Sequence, residues 1–457
     1  MIPILDTLTV DLATVRRSLR RPSLFAVEVA PHVQAVSDRV FGPGTTPVQA
    51  VQRILADVAE QGDRAVLHYT AEIDGLELTP ERLFVTDEEI EQARQQADEE
   101  VLDAIRLAAH RIEAFHTRQL ERSWFMTETS GSLLGQRLVP LERVGCYVPG
   151  GRSPLVSTAL MSVVPARVAG VEQIIAATPA GPSGVLNPYM ILALVEAGAH
   201  KILRVGGAQS IAALAYGTES VPQVDKIVGP GNLFVQLAKG LVFGTVGIDS
   251  LAGPSEILII ADASADPAWV AADMLSQAEH DTEAAAILIT TSGSLARDVA
   301  DELDKQLAAL PDPRTARSSL ERWGRIVTCR NLDEAVELAN LVAPEHLELM
   351  VEEPHELLGR IKHAGAVFLG PWSSEPIGDY IAGPNHILPT NGTARFASAL
   401  SVGEFFRRSG LIQMSRQGML DVGPAAVLLA RLEGLEAHAR ALEKRLVVAG
   451  GDADDTD

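Results

Sequence analysis

The chain has 457 residues, 47% of them apolar and 4% aromatic, and its 60 acidic and 38 basic side chains leave a net charge of −22. Such a length calls for two or three domains, and the acidic balance excludes a nucleic-acid backbone as partner, because its phosphates would be repelled. No stretch nears the roughly 18 apolar residues of a membrane helix, and the N-terminus lacks the basic-then-apolar order of a secretory signal. A cytoplasmic enzyme is expected. The two cysteines, Cys146 and Cys329, are far apart and lack metal-type spacing, which fits a reducing compartment without disulfides.

Residues 1 to about 125 read as mostly helical, since Val48 to His68 and Asp87 to His116 carry helical periodicity with charged outer faces. His68, His110 and His116 lie inside these helices without acidic or glycine-rich neighbours, and read as surface or packing histidines. From Leu141 short apolar strands alternate with alanine-rich helices: Val144 to Val148, Gln173 to Thr178, Lys201 to Val205 and Lys226 to Val228. This is the α/β signature of a parallel sheet. Each strand ends in a glycine-bearing turn: YVPGG from Tyr147, TPAGPSG from Thr178, VGGAQS from Val205 and VGPGN from Val228. Ligands of open α/β sheets bind beyond the carboxyl ends of strands, and helix N-termini there attract phosphates. A dinucleotide fits such turns, yet G-x-G-x-x-G is missing and glycine turns are ordinary in α/β folds, so both readings stand. Cys146 sits mid-strand in VGCYV with no adjacent base, and reads as a buried thiol rather than a nucleophile for an aldehyde.

The next segment, Ser255 to His280, reads as a buried strand (Ile257 to Ile260) followed by a helix with Asp266 as N-cap and Pro267 at its first position. Val270, Met274 and Ala278 recur at i, i+4, i+8 and mark its packing face. Gln277 and His280, three apart, share a face at the helix end. An amide oxygen beside an imidazole suits half of a mixed O/N metal site; the alternative is a polar helix end in solvent. Ala286 to Thr290 and Arg325 to Val327 read as strands, and Asn331 to Leu341 as a helix with an N-x-x-E cap.

That helix runs into Ala343, Pro344, Glu345 and His346. Adjacent side chains normally diverge, so Glu345 and His346 serve one site only if the backbone is irregular. Pro344 breaks the helix and biases Ala343 towards extended geometry. A Glu–His pair is a natural general-base couple, and a helix-terminal ion pair is the plainer alternative. After a strand at Ala366 to Leu369, residues Gly378 to Phe396 read as a long loop holding Asp379 and His386. Pro424 to about Leu446 reads as helical and holds Glu433 and His438. The acidic tail from Gly450 is expected to be disordered. His280, His346, His386 and His438 all stand in acidic or amide-bearing motifs, which makes a convergent site the favoured reading. Gln277, His280, Asp379 and His438 form an O₂N₂ set that zinc accepts.

The motifs AGPSE (Ala252 to Glu256), SQAEH (Ser276 to His280), APEHLE (Ala343 to Glu348), GDY-x-AGPNH-x-LPT (Gly378 to Thr390) and EGLEAH (Glu433 to His438) resemble the histidinol dehydrogenase family in order and spacing, from roughly Val29 to Val447. The resemblance implies oxidation of L-histidinol through L-histidinal to L-histidine with two NAD, at the end of histidine biosynthesis. It implies zinc held by Gln277, His280, Asp379 and His438, with Glu345 and His346 as the acid/base pair. Ser255, His346, His386 and Glu433 match substrate-contacting positions, the metal ligands also facing the substrate, and Tyr147, Gln209 and Asn232 match NAD-contacting ones. The loop Arg152 to Thr158 departs from the commoner family wording. The family is homodimeric, with the C-terminal segment crossing to the partner.

The implied fold is α/β, with two incomplete Rossmann-like domains of parallel sheets and small helical termini. Residues 1–45 form a helical segment, 46–146 plus 255–390 the metal and acid/base domain, and 147–254 the NAD domain. Residues 391–448 form a helical dimerisation segment and 449–457 the tail. A zinc hydrolase, which would activate water on its metal, and a non-catalytic metal scaffold are the rivals from other classes.

Overall fold

The alternation that begins near Leu141 builds a five-stranded parallel sheet in the computed structural model, which describes residues 2–21, 31–150 and 154–451. Its strands lie in the spatial order Lys201–Leu203, Gln173–Ala177, Arg143–Tyr147, Lys226–Val228, Gly247–Ile248. In chain order that is 3-2-1-4-5, so the direction of winding reverses between Arg143–Tyr147 and Lys226–Val228. Beyond the carboxyl ends of two such strands the crossovers diverge and leave a crevice.

The second sheet repeats the order with strands Glu256–Ala261, Ala285–Thr290, Arg325–Thr328, His346–Met350 and Ala366–Leu369, all parallel. The short strand Ile4–Asp6 is added on its edge beside Arg325–Thr328. Glu256–Ala261 reads as an unbroken apolar run because both of its faces are covered. Ile257 and Ile259 pack with Val270, Met274 and Val299 on one side. Leu258 and Ile260 pack with Val336, Ala339 and Val15 on the other. Each fully covered Ile or Leu removes enough apolar surface from water to contribute about 1.5–3 kcal/mol.

Several expected boundaries need correction. Residues 46–119 belong with the five-stranded sheet rather than with residues 255–390. Helices Pro47–Gln61 and Asp63–Asp74 bury Ile54, Val58, Val66 and Tyr69 among Ile211, Leu214 and Val235. Their apolar faces need a partner, and chain adjacency does not choose it. Strand Arg143–Tyr147 likewise sits inside the five-stranded sheet, ahead of the expected start at 147. The expected helical segment 1–45 donates an edge strand to the other sheet. The helical runs from Val48 and Asp87 are each broken in two, at Gly62 with its positive φ and at Ala97–Asp98.

Residues 120–140 and 406 onward form a separate unit. It was expected to be helical throughout 391–448, but it contains a three-stranded antiparallel sheet of Phe406–Gln413, Leu133–Pro140 and Trp124–Thr127. These strands are half-exposed or exposed and lack a long apolar run, so their pairing has little local signature. Helices Arg416–Leu432 and Glu436–Gly451 pack through Val427, Ala430 and Ala439. The single helix expected from Pro424 is thus two, with Pro424 inside the first and a left-handed Gly434 between them. Residues 449–451, expected in the tail, still belong to the last helix; 452–457 and Gly151–Ser153 lie outside the described residues.

Candidate active site

Several segments meet at the amino edge of the six-stranded sheet. Helix Leu332–Val342 ends on Ala343 in the left-handed region (φ 53°) rather than the expected extended one. That conformation costs a non-glycine residue about 1–2 kcal/mol. The kink it makes, with Pro344, brings two consecutive side chains to one place. Glu345 Oε2 accepts the backbone N–H of Glu256 at 2.8 Å, and His346 Nδ1 lies 3.2 Å from the carbonyl oxygen of the same residue. Because a carbonyl only accepts, Nδ1 carries the proton in the neutral ring and Nε2 keeps its lone pair. Nε2 is buried without a hydrogen-bond partner, 3.6 Å from Asp379 Oδ1.

Asp379 sits on a short helix, Glu375–Tyr380, where the sequence suggested loop. Glu375, one turn earlier, and His280, just past the end of helix Pro267–Ala278, join it there. These three bring ligand atoms within 4.8 Å of one another. Ser276 Oγ donates to Glu375 Oε2 at 3.1 Å. His386 Nδ1 lies 2.9 Å from the backbone oxygen of Asp379, and Thr158 Oγ1 lies 3.2 Å from its Nε2. The loop that carries His386 is pinned by buried Asn385, which donates to the Met161 carbonyl at 2.7 Å and accepts from Ile387 at 2.9 Å.

Burial dominates the titration of these groups. It pushes Glu345 up to about 7, against the pull of His346. Burial alone would depress His346, but the charges of Glu345 and Asp379 push it up to about 10. Asp379 is held well below the usual carboxylate range, its burial outweighed by His346 and His386. Burial pushes Glu375 up to about 8 and holds His386 below the ordinary imidazole value. A cluster with an imidazole base, a carboxyl poised near neutrality and converging O and N donors suits proton abstraction at a bound polar substrate.

Residues 44–446 match the family model described as Histidinol dehydrogenase. The chain is 53% identical to histidinol dehydrogenase of Halalkalibacterium halodurans over 397 residues, covering 87% of this chain and 93% of the relative. It belongs to the histidinol dehydrogenase family. It is therefore an oxidoreductase of histidine biosynthesis. The relative from Aquifex aeolicus is also 53% identical, over 87% of this chain and 92% of its own. The solved histidinol dehydrogenase of Elizabethkingia anophelis superposes with a TM-score of 0.89 at 34% identity, covering 98% and 99% of the two chains.

Of the residues singled out from the sequence, this fold gathers His280, Glu345, His346, Asp379 and His386. Ser255 precedes Glu256 at the same edge. Gln277 is fully buried near the end of its helix, and both of its amide atoms lack a partner. Glu433 caps the end of helix Arg416–Leu432 and His438 lies in the first turn of the next helix; both are exposed on the C-terminal unit.

Tyr147 and Gln209 sit at the carboxyl ends of the five-stranded sheet. Gly229 there has φ 111°, and a Cβ on it would meet the Tyr147 carbonyl oxygen at 2.1 Å, so only glycine lets the two strand ends approach. Buried Lys239 donates to the Gly229 carbonyl at 2.7 Å and pairs with Asp249, which accepts the Gly229 N–H at 2.8 Å. Asn232 spends its side chain as an N-cap on Val235. Cys146 is fully buried, and burial raises its thiol far above the ordinary value, so it is no nucleophile.

Sequence reasoning missed Glu375, Glu256 and Thr158. Glu375 stands four before Asp379, a spacing that would have paired them on one helix face had the helix been seen. Thr158 meets His386 across 228 residues and leaves no local signal.

Proposed function

We propose that the protein oxidises L-histidinol through L-histidinal to L-histidine with two NAD, using one zinc ion per subunit. The observation that carries this reading is His346 Nε2, buried without a hydrogen-bond partner and set beside a carboxyl poised near 7 and the converging His280, Glu375 and Asp379. The donors fit a metal. Gln277 keeps two unpartnered polar atoms in a fully buried place, which is costly unless something else satisfies them. Amide oxygen, imidazole nitrogen and carboxylate oxygen together make a set that zinc accepts. Gln277, His280 and Asp379 would hold it, with His438 as the further ligand. A cation held there would supply an anchor for the imidazole and amine of the substrate.

The chain's own groups then divide the work. His346 takes the hydroxyl proton at Nε2 as hydride leaves the alcohol carbon for the nicotinamide. A cation on Asp379 would weaken its pull on the imidazolium and so favour the neutral ring that His346 needs to act as a base. Glu345 takes a proton from the water that adds to the aldehyde, and His346 serves again when the hydrated aldehyde gives its hydride to the second NAD. Ser255, His386 and Glu433 contact the substrate. Holding it against the nicotinamide can contribute about 7–11 kcal/mol. Tyr147, Gln209 and Asn232 would contact NAD, at the crevice where the five-stranded sheet reverses its winding.

The working form in this reading is a cytoplasmic homodimer, with Glu433 and His438 serving the site of a second copy. The test is reduced-NAD absorbance with histidinol as substrate: two NAD reduced per histidinol, lost on chelation and restored by zinc. Turnover undiminished in metal-stripped protein would refute the metal assignment, and inertness of the zinc-loaded protein towards histidinol would refute the substrate.

A further inference from the structure

Helix Asp63–Asp74 stands outside the strand-and-turn repeat, yet its last residue touches the turn that opens helix Gly207–Tyr216. Gln209 Nε2 donates to Asp74 Oδ2 at 3.1 Å. Asp74 breaks local rules where it stands. A carboxylate at a helix C-terminus faces the negative end of the helix dipole. Its surroundings are partly desolvated, which pushes the carboxyl up to about 6, and the hydrogen bond from Gln209 opposes that shift. No lysine or arginine pairs with it among the described residues. Local conflicts of this kind concentrate where function requires them.

A carboxylate only accepts, so it dictates the orientation of the neighbouring amide: nitrogen towards Asp74, oxygen away. That oxygen, Gln209 Oε1, is buried and has no partner. Beside it is Gly207, whose N–H donates to the Tyr147 hydroxyl at 3.3 Å and whose missing Cβ would come within 2.6 Å of Oε1. The acceptor is thus left uncovered by the protein, next to Tyr147. From this geometry we infer that Asp74 is a positioning residue of the dinucleotide site, orienting Gln209 so that its amide oxygen receives a hydroxyl or amino donor of NAD. The inference rests on the proposed cofactor contact at Gln209.

The test measures NAD affinity by quenching of tryptophan fluorescence on the zinc-loaded full chain, together with kcat and KM. Asp74→Ala weakens NAD binding and raises its KM about 3- to 10-fold, the worth of one oriented hydrogen bond, with kcat and the KM for histidinol within about twofold. Asp74→Asn, whose Oδ1 still accepts from Nε2, recovers most of the loss. Added to Gln209→Ala, Asp74→Ala brings no further loss, because both act through one contact. Wild-type NAD affinity in Asp74→Ala, or an equal additional loss in the Gln209→Ala background, overturns the positioning role while leaving the cofactor reading intact. Wild-type affinity in Gln209→Ala overturns the cofactor contact itself, and the inference with it. Thermal melts accompany each variant, and Asp74→Ser repeats the cycle should the alanine variant melt early.

Discussion

Gln277 offers a test in which the order of stabilities should invert. Its side chain is fully inaccessible, and neither amide atom finds a hydrogen-bond partner. A buried polar group left unpaired costs about 1–3 kcal/mol, whereas an apolar group of similar shape escapes that cost. Gln277→Leu should therefore leave metal-stripped protein between unchanged and about 2 kcal/mol more stable, the imperfect fit of leucine offsetting part of the gain. In the proposed zinc site the comparison should reverse. A ligand present at 100 times its Kd stabilises the native state by about 2.7 kcal/mol, and that increment should collapse when an oxygen donor is lost. The assay is thermal or urea unfolding of both proteins, chelated and zinc-loaded. Metal-stripped Gln277→Leu melting well below its parent would show that the protein itself satisfies the amide. Equal stabilisation of both proteins by zinc would remove Gln277 from the donor set.

Glu345→Gln should slow oxidation of supplied histidinal by about 10²–10⁴-fold, the range of a lost general base, while the first NAD reduced from histidinol changes little; full-rate histidinal oxidation would refute its role. His346→Asn should slow both steps, read from the same reduced-NAD trace. Glu256, 2% exposed, is pushed by burial up to about 7 from 4.5. Between those values the native state holds a proton that the unfolded chain has lost, so stability falls as pH rises through that window and stays lower above it. The gap, in which the opposing attraction of Arg21 is already included, converts to about 3 kcal/mol. Glu256→Gln should accordingly be the more stable protein at pH 8 and no different below pH 4.5; parallel urea curves at both pH values would count against it. Mixing His438→Ala with His346→Asn chains should restore partial activity in hybrid dimers, and silence despite proven exchange would refute sharing between copies.

What could be read in the sequence followed from periodicity and caps. Asp266 and Pro267 start their helix as the N-cap rules demand, and Val270, Met274 and Ala278 are all fully buried. Eight strands of the two parallel sheets were found to within a residue or two, because strands covered on two faces leave unbroken apolar runs; the short strands Ile4–Asp6 and Gly247–Ile248 and the strand His346–Met350 were missed. The antiparallel strands Trp124–Thr127 and Phe406–Gln413 were missed, since exposed strands need no such run. Domain membership was misjudged for the same reason that Thr158 was missed: helix faces and hydroxyls declare that they need a partner without declaring which. Glu345 and His346 were correctly seen to require an irregular backbone, but the irregularity is a left-handed Ala343 rather than an extended one.

The two sheets share one winding order yet present opposite ends. Tyr147, Gln209 and Gly229 lie at carboxyl ends, where glycine turns and helix N-termini suit a phosphate-bearing ligand. The cluster around Glu345 and His346 lies at the amino ends of Glu256–Ala261 and His346–Met350. At those ends the first backbone groups of a strand are still free, and Glu256 spends both of its own: the N–H on the Glu345 carboxylate, the carbonyl on the His346 ring. One residue on a fully buried strand thereby sets the tautomer of the neutral His346 ring and the position of the Glu345 carboxyl. A carboxyl-end crevice would have offered those polar groups to the ligand instead. In the proposed function the rule that ligands sit at carboxyl ends would hold for the turns that suit a nucleotide and fail for this cluster, because proton transfer needs side chains locked to backbone rather than backbone left open.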